Sequence, residues 1–297
     1  MSPLDSLACA LSPSAYLRAL GEEPYQWQDD ILSDMATRIV INGARQGGKS
    51  AVVSVLCTHT AKYQPGSLSI IAAATETQAG LDMLKVKEYM ALDQRYPEVK
   101  RSSDSEIVLA NKSRIVVVPA TERSARGYSC PELVIVDEAS RVSDIVFTSG
   151  IIPFFTNNPQ GRLLMPSTPA GRLGFFYRAM QNEKGSWQRY EFRAPYLLND
   201  MTWTLTPDPL EDYLAARRAA GVRAYLSPRH FILKEQQDNL HDMGPLMYRQ
   251  EYMAEFVEPE DAVFRYEDIE AAFAGDGTKP LFDFEIGAAR PEEALTI

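Results

Sequence analysis

The sequence has little of what marks a secreted, zinc-binding or membrane-spanning protein. Its 297 residues include only three cysteines and three histidines. The cysteines lie far apart and form no C-x-x-C pair, which argues against a disulfide framework and against a zinc site. No apolar run approaches the roughly 18 residues of a membrane span. The N-terminus has no basic flank before an apolar core, so no secretory signal is indicated. We therefore expect a reducing cytoplasm.

Positive charge is scarce only near the C-terminus. The net charge is −10, yet residues 1–250 hold 27 lysines and arginines against 27 aspartates and glutamates. Residues 251–297 hold 3 against 13 and so carry the whole excess. An acidic balance does not favour nucleic-acid binding in general. The first 250 residues are neutral overall, however, and can still present a local basic face.

The sequence does contain a phosphate-binding loop. Residues 43–50 read GARQGGKS and match G-x-x-x-x-G-K-[S/T]. Glycines let backbone N–H groups point at phosphate oxygens, the lysine meets the β- and γ-phosphates, and the serine hydroxyl can ligate Mg²⁺. The following helix adds the positive end of its dipole. The residues predicted to bind ATP phosphates are Gly43, Ala44, Arg45, Gln46, Gly47, Gly48, Lys49 and Ser50.

The surrounding pattern alternates strands with helices. A strand at 38–42 precedes the loop and an apolar helix at 50–63 follows it, as the motif requires. Further strands are predicted at 67–74, 106–109, 114–118, 133–136, 162–165 and 187–192, and further helices at 16–35, 76–92, 142–155 and 174–182. This alternation predicts an α/β fold with a mostly parallel sheet flanked by helices. With the phosphate-loop motif, the expected fold is that of a P-loop NTPase (RecA/ASCE-like).

Two carboxylates end the apolar strand at 133–136. In phosphate-loop NTPases the first acid binds Mg²⁺ directly or through water, so Asp137 joins Ser50 as a predicted metal-side residue. A second acid beside it can polarise the attacking water, which makes Glu138 the predicted catalytic base. The alternative is a strand followed by a solvated acidic turn.

Other candidates depend more on their context. An aromatic residue and Gln28 at 25–28 can stack on adenine and bond its edge, or Gln28 is a helix-surface residue beside a core tryptophan. Ser167 and Thr168 follow a strand and can sense hydrolysis near the γ-phosphate, or they form a plain turn. Arg126, in a loop beside a glycine, and Arg45 can stabilise transition-state charge in cis or across a subunit interface. From spacing alone, each is as readily a surface arginine.

Together these motifs resemble the ATPase part of a large terminase subunit, the DNA-packaging motor of tailed phages. The resemblance covers residues 20–260 approximately. It rests on motifs in this order: Trp27-Gln28, 44–50, Arg126-Gly127, 134–139 and 167–171, with 248–256 similar to the helix that closes this domain.

The resemblance implies roles for these residues. Gln28 would contact adenine, while Ser167 and Thr168 would couple hydrolysis to movement. Arg126 matches an arginine offered to a neighbouring subunit, and Arg45 matches the arginine carried within the phosphate loop. The implied cofactors are ATP and Mg²⁺. The implied partners are double-stranded DNA, the portal protein, a small terminase subunit and further copies in a ring, in the host cytoplasm and transiently at the procapsid portal.

The predicted organisation has three parts. Residues 1–200 form the ATPase core, 201–256 form a small helical lid broken at 243–245, and 257–297 form an acidic linker. In that linker, 282–287 is a candidate first strand of a truncated nuclease domain of ribonuclease H type. Such a nuclease needs several carboxylates to hold two metals, and one strand cannot assemble that site. We therefore expect no nuclease activity from this chain.

Two further functions stay open on the sequence alone. The acidic motif at 137–140 and the Ser-Thr-Pro at 167–169 superficially resemble motifs of a DEAD-like helicase, which needs a second RecA-like domain. The other is an ATP-gated assembly module with negligible turnover, against which the intact Lys49, Asp137 and Glu138 argue.

Overall fold

A nine-stranded sheet organises the chain in the computed structural model, which describes residues 3–121, 127–182, 185–207, 210–226 and 231–257. Its strands are β1 Arg38–Gly43, β2 Leu68–Ala73, β3 Val99–Ser102, β4 Glu106–Leu109, β5 Arg114–Pro119, β6 Leu133–Asp137, β7 Arg162–Ser167 and β8 Gln188–Arg193, together with β11 Val222–Leu226. A separate antiparallel pair consists of β9 Tyr196–Asn199 and β10 Thr204–Pro207.

The strand order in the large sheet is β11-β8-β1-β7-β6-β2-β5-β4-β3. Every pair from β11 to β5 is parallel, and only β3–β4 and β4–β5 are antiparallel. The predicted mostly parallel sheet is therefore confirmed. Because β1, β6 and β7 are neighbours, their carboxyl ends bring the phosphate loop, the acidic pair and the Ser-Thr pair to one edge.

Helices cover both faces of the sheet. They are α1 Pro3–Leu11, α2 Pro13–Ala19, α3 Gln26–Ser33, α4 Lys49–Tyr63, α5 Glu76–Leu92, α6 Gly174–Gln181, α7 Glu211–Ala219 and α8 Leu233–Met253. Short helical turns lie at Ala139–Arg141, Val146–Ile151 and Ile152–Phe155. No helix in the described ranges is both long enough and apolar enough to cross a membrane.

Two apolar clusters lie on opposite faces of the sheet. Along β1, Ile39 and Ile41 belong to the cluster under α4 and α5, while Val40 belongs to the cluster with Phe147 and Phe176. This alternation follows from the period of two along a strand. It explains why the central strands are continuous apolar runs, since both of their faces are buried.

Two predicted helices differ from the structure. The helix predicted at 16–35 is two helices, because Gly21 takes a positive φ of 93° and the extended backbone of Tyr25 starts α3 anew. The helix predicted at 142–155 is a π-helical turn followed by a 3-10 turn. Pro153 lies in the first turn of that 3-10 segment and removes a backbone donor that a continuous α-helix would use.

The segment 201–256 was expected to be helical, and this is wrong in part. It contains α7 and α8, and the predicted break is present because Gly244 leaves the helical conformation at φ 78° and ψ 163°. It also contains β10, and β11 extends the main sheet by pairing in parallel with β8. Gly221 at φ 75° ends the preceding helix, and buried Val222 and Ala224 alternate with exposed Arg223. Five residues are too few for that alternation to stand out.

Residues 1–257 form one compact unit. The predicted nuclease strand at 282–287, and the predicted acidic linker beyond Val257, lie outside the described residues.

Candidate nucleotide-binding site

The phosphate loop connects the end of β1 to the start of α4. Gly48 caps α4 in the left-handed region at φ 98°, and Lys49 is the first helical residue. The buried Lys49 side chain folds back over the loop, where Nζ donates to the carbonyl oxygens of Gly43 at 3.0 Å and Ala44 at 3.1 Å. Burial lowers the pKa of Lys49, while the nearby Glu138 and Asp137 oppose that shift. Ser50 lies exposed on the same first turn.

An aromatic ring underlies the loop. A Cβ atom placed on Gly43 or Gly47 would lie well inside van der Waals contact with the ring of Phe192, on β8. That ring cannot retreat easily, because it stacks on the buried Trp27 with centroids 4.1 Å apart. The loop therefore needs glycine at these two positions for space and not for backbone freedom, since neither has a positive φ.

Gln28 lies against the loop. Its Nε2 donates to the carbonyl of Gly48 at 3.1 Å, and its Oε1 accepts from the backbone N–H of Tyr25 at 2.9 Å. Both ends of the amide are thus engaged by the protein itself. Trp27 is buried in the core and is not available to stack on a base, whereas Tyr25 is exposed. Contact between Gln28 and adenine stays a prediction.

The two predicted acids lie at the end of β6. Asp137 is 3% exposed, and its Oδ2 accepts from Gln78 Nε2 at 3.1 Å. Burial, followed by the neighbouring Glu138, raises the pKa of Asp137. Glu138 has φ 50° and ψ 44°. A left-handed residue that carries a Cβ is strained, and such strain concentrates at functional sites.

The structure brings Ser167 into contact with the predicted base. Ser167 ends β7, and its Oγ lies 3.3 Å from Glu138 Oε2 and 2.8 Å from Ser140 Oγ. The backbone N–H of Ser140 donates to the same hydroxyl at 3.2 Å. Thr168 follows, also buried. A shift of β7 would therefore change the contact between Ser167 and Glu138 directly.

Helix α8 reaches the phosphate loop through Glu251, whose contacts the sequence did not reveal. The backbone N–H of Arg45 donates to the Glu251 carbonyl at 2.6 Å. The buried Glu251 carboxylate lies 3.6 Å from the guanidinium of Arg45 and 3.6 Å from that of Arg141. Asn42 Nδ2 also donates to the Ala254 carbonyl at 2.8 Å. Each contact joins residues at least 110 positions apart (251 − 141 = 110), so no local spacing could signal it.

Four residues near the site were not predicted: Gln78, Asp82, Arg141 and Glu251. Arg141 lies four residues beyond Asp137, but a lone arginine after an acidic motif carries no distinctive pattern. The predicted Arg126 lies outside the described residues.

The donor set suits Mg²⁺ that arrives with a nucleotide. No group of three or more His, Cys, Asp or Glu residues in the described ranges is arranged to hold a metal ion alone. Mg²⁺ usually keeps several waters and needs one or two carboxylates plus substrate phosphates. Asp137 and Ser50 offer such oxygen ligands beside the phosphate loop.

Comparison with solved structures identifies the fold. The large terminase ATPase domain of Thermus phage P74-26 aligns with a TM-score of 0.61 at 24% identity, covering 83% of this chain and 100% of that domain. The chain has the fold of a large terminase ATPase domain. The HK97 bacteriophage large terminase aligns with a TM-score of 0.59 at 15% identity, covering 79% of this chain and 51% of that one.

A third solved structure has a similar fold. The large terminase of a thermophilic bacteriophage in complex with ADP aligns with a TM-score of 0.51 at 11% identity, covering 82% of this chain and 53% of that one. This chain spans about half the length of that terminase and of the HK97 terminase. No protein-family model matches the chain, and no curated protein matches it by sequence. The resemblance inferred from the motifs is confirmed at the level of the fold.

Proposed function

We propose that this chain is the ATPase of a viral DNA-packaging motor, which hydrolyses ATP to move double-stranded DNA into a procapsid. The observation that carries this proposal is the meeting of Lys49, Asp137 and Glu138 at one edge of the sheet. Ser167 contacts Glu138 at that edge. The terminase fold and the ADP held by one similar structure support it.

Each side chain has a role that its geometry allows. Lys49 exchanges its two loop carbonyls for β- and γ-phosphate oxygens. Asp137 and Ser50 would hold Mg²⁺, which would offset phosphate charge when bound. Glu138 takes a proton from water as the water oxygen attacks the γ-phosphorus and the bond to the β–γ bridging oxygen breaks. Ser167, which ends β7, and Thr168, which follows it, couple hydrolysis at Glu138 to movement of the chain.

The proposed partners are those of the motor: duplex DNA, the portal protein, the small terminase subunit and further copies of the chain in a ring. The proposed location is the host cytoplasm, with transient docking at the portal. Arg126 would act across the ring interface, while Arg45 would act within its own subunit. Gln28 would contact adenine once nucleotide draws it away from Gly48.

The test is steady-state ATP hydrolysis by the purified chain over a range of protein concentrations, with and without duplex DNA. We expect turnover to rise faster than linearly with concentration, because the trans arginine acts only in assembled copies. Glu138→Gln should retain Mg²⁺-ATP binding and lose roughly 10²–10⁴-fold in turnover, as expected for a general base. Glu98→Gln, at an exposed ion pair with Lys100, is the charge-matched control and should be unaffected.

Two results would contradict the proposal. Absence of turnover at every concentration, with tight Mg²⁺-ATP binding retained, would indicate an ATP-gated assembly module. ATP-dependent separation of the strands of a forked duplex would indicate a helicase, because a packaging motor moves duplex DNA without unwinding it.

A further inference from the structure

Helix α5 begins beside the strand end that carries Asp137. β2 and β6 are parallel neighbours, with Ala73 opposite Asp137. Two residues after the end of β2, Thr75 caps α5, and its Oγ1 accepts from the backbone N–H of Gln78 at 3.1 Å. The first turn of α5 therefore lies at the same sheet edge as the acidic pair, and its dipole favours negative charge there.

Gln78 bridges two carboxylates. Its Nε2 lies 3.1 Å from Asp137 Oδ2 and 3.0 Å from Asp82 Oδ1. An amide nitrogen has two hydrogens, one for each acceptor. Asp82 is one helical turn further along α5 and 3% exposed, and its Oδ2 has no hydrogen-bond partner among the described residues. A buried carboxylate bonded at only one oxygen is costly, so it needs an explanation.

A purely structural explanation is a helix brace between residues four apart. The chain offers a direct comparison on α3, where Gln26 Nε2 donates to Asp30 Oδ1 at 2.8 Å on the exposed surface. Among the residues that the structure describes, that Gln26 makes no hydrogen bond to an acid of the candidate nucleotide site. On α5 the same pair is turned inward and extended to Asp137, so bracing alone does not account for it.

We propose that Gln78 and Asp82 are positioning residues for the metal side of the nucleotide site. Asp82 fixes the position of the Gln78 amide. That amide donates to Oδ2 of Asp137 and so holds the whole Asp137 carboxylate in one orientation relative to the cation. Groups that bond a metal-binding carboxylate from behind orient it and tune its affinity. This inference rests on the proposed function, because it assumes that Asp137 serves Mg²⁺-nucleotide.

The experiment measures binding of a fluorescent ADP analogue to the full chain, in EDTA and over a Mg²⁺ titration. We expect Mg²⁺ to tighten binding to the wild-type chain. In Gln78→Leu the half-saturating Mg²⁺ concentration should rise about 10- to 100-fold, the usual effect of losing such a partner. Affinity in EDTA should stay within about twofold, since the hydrogen bonds of Gln78 within the described residues go to Thr75, Asp82 and Asp137 and not to the phosphate loop.

Asp82 supplies the conservative comparison. Asp82→Asn keeps an oxygen that can accept from Gln78 and should raise the Mg²⁺ requirement less than Asp82→Ala does. Glu88→Gln, on the exposed face of the same helix, is the matched control and should leave the half-saturating Mg²⁺ concentration unchanged. Thermal unfolding shows which variants are folded, and Gln78→Met replaces Gln78→Leu if the latter is not.

The outcomes separate the two levels of the argument. If Mg²⁺ tightens nucleotide binding to the wild type, and Gln78→Leu and Gln78→Met have the same half-saturating Mg²⁺ concentration as the wild type, this inference alone is overturned. No Mg²⁺-dependent nucleotide binding in the wild-type chain would overturn the proposed function, and this inference with it. A weakened affinity that is equal in EDTA and in Mg²⁺ would assign Gln78 a structural role and also overturn the inference.

Discussion

At the scale of single residues, the ring of Phe192 leaves no room for a side chain at Gly43 or Gly47 of the phosphate loop. Gly43 has ordinary strand geometry, so its substitution tests crowding by Phe192 and not backbone strain. Gly43→Ala should lower the free energy of unfolding by about 1–3 kcal/mol, the usual cost of overpacking. Gly80→Ala is the control, because it lies within α5 with open space around it, and it should gain roughly 0.5–1 kcal/mol. Urea denaturation of both variants measures these differences.

A double-mutant cycle identifies Phe192 as the cause. Phe192→Leu removes ring atoms beside the glycine, so it should destabilise the Gly43→Ala background much less than the wild-type background. The same loss in both backgrounds would contradict the crowding argument.

At the scale of elements, α4 joins the nucleotide site to the N-terminal helices through His59. This residue lies ten positions after Lys49, is 7% exposed, and its Nε2 lies 2.9 Å from the Cys9 carbonyl of α1. Desolvation lowers the pKa of His59 to about 4, a shift that the nearby Lys62 reinforces. The imidazole is therefore neutral in the folded protein at pH values where an unfolded chain protonates it.

This shift gives the pH dependence a definite sign. Between its unfolded pKa of about 6.5 and its folded pKa of about 4, the unfolded state binds the additional proton, so stability falls as the pH is lowered. From pH 7 to pH 5 the loss due to His59 should be about 2 kcal/mol. His59→Gln keeps a donor for the Cys9 carbonyl and has no titrating ring. On going from pH 7 to pH 5, its free energy of unfolding should therefore fall by about 2 kcal/mol less than that of the wild type. Urea denaturation of both proteins at the two pH values measures this, and parallel losses would refute it.

Elements with a local signature were predictable from the sequence. The run GARQGGKS with an apolar strand before it fixed the start of α4 to within one residue, and the apolar run at 133–136 placed Asp137 at the end of β6. In contrast, β11 is too short for its alternation to be distinctive. Gln78 and Glu251 act through contacts with residues far away in the chain, and those contacts follow from the strand order β7-β6-β2 and from the return of α8, which no single stretch encodes.

At the scale of the whole molecule, most of the excess negative charge lies in the sequence after residue 257. Residues 258–297 contain 3 lysines and arginines against 11 aspartates and glutamates, which leaves a net charge of only −2 for residues 1–257. The unit that carries the candidate nucleotide site is therefore close to neutral. Long-range repulsion of a phosphate backbone by this chain arises mainly from the acidic C-terminal unit.

A chain ending at Val257 tests this separation. It should unfold cooperatively at nearly the temperature of the full chain, because residues 1–257 form one compact unit. It should also bind duplex DNA, the proposed partner, more tightly than the full chain at about 50 mM salt, and the difference should shrink at about 200 mM as screening shortens the range of the repulsion. Fluorescence anisotropy of a labelled duplex measures both affinities. Equal affinities at low salt, or a difference that salt does not change, would show that the acidic segment does not oppose DNA binding through its charge.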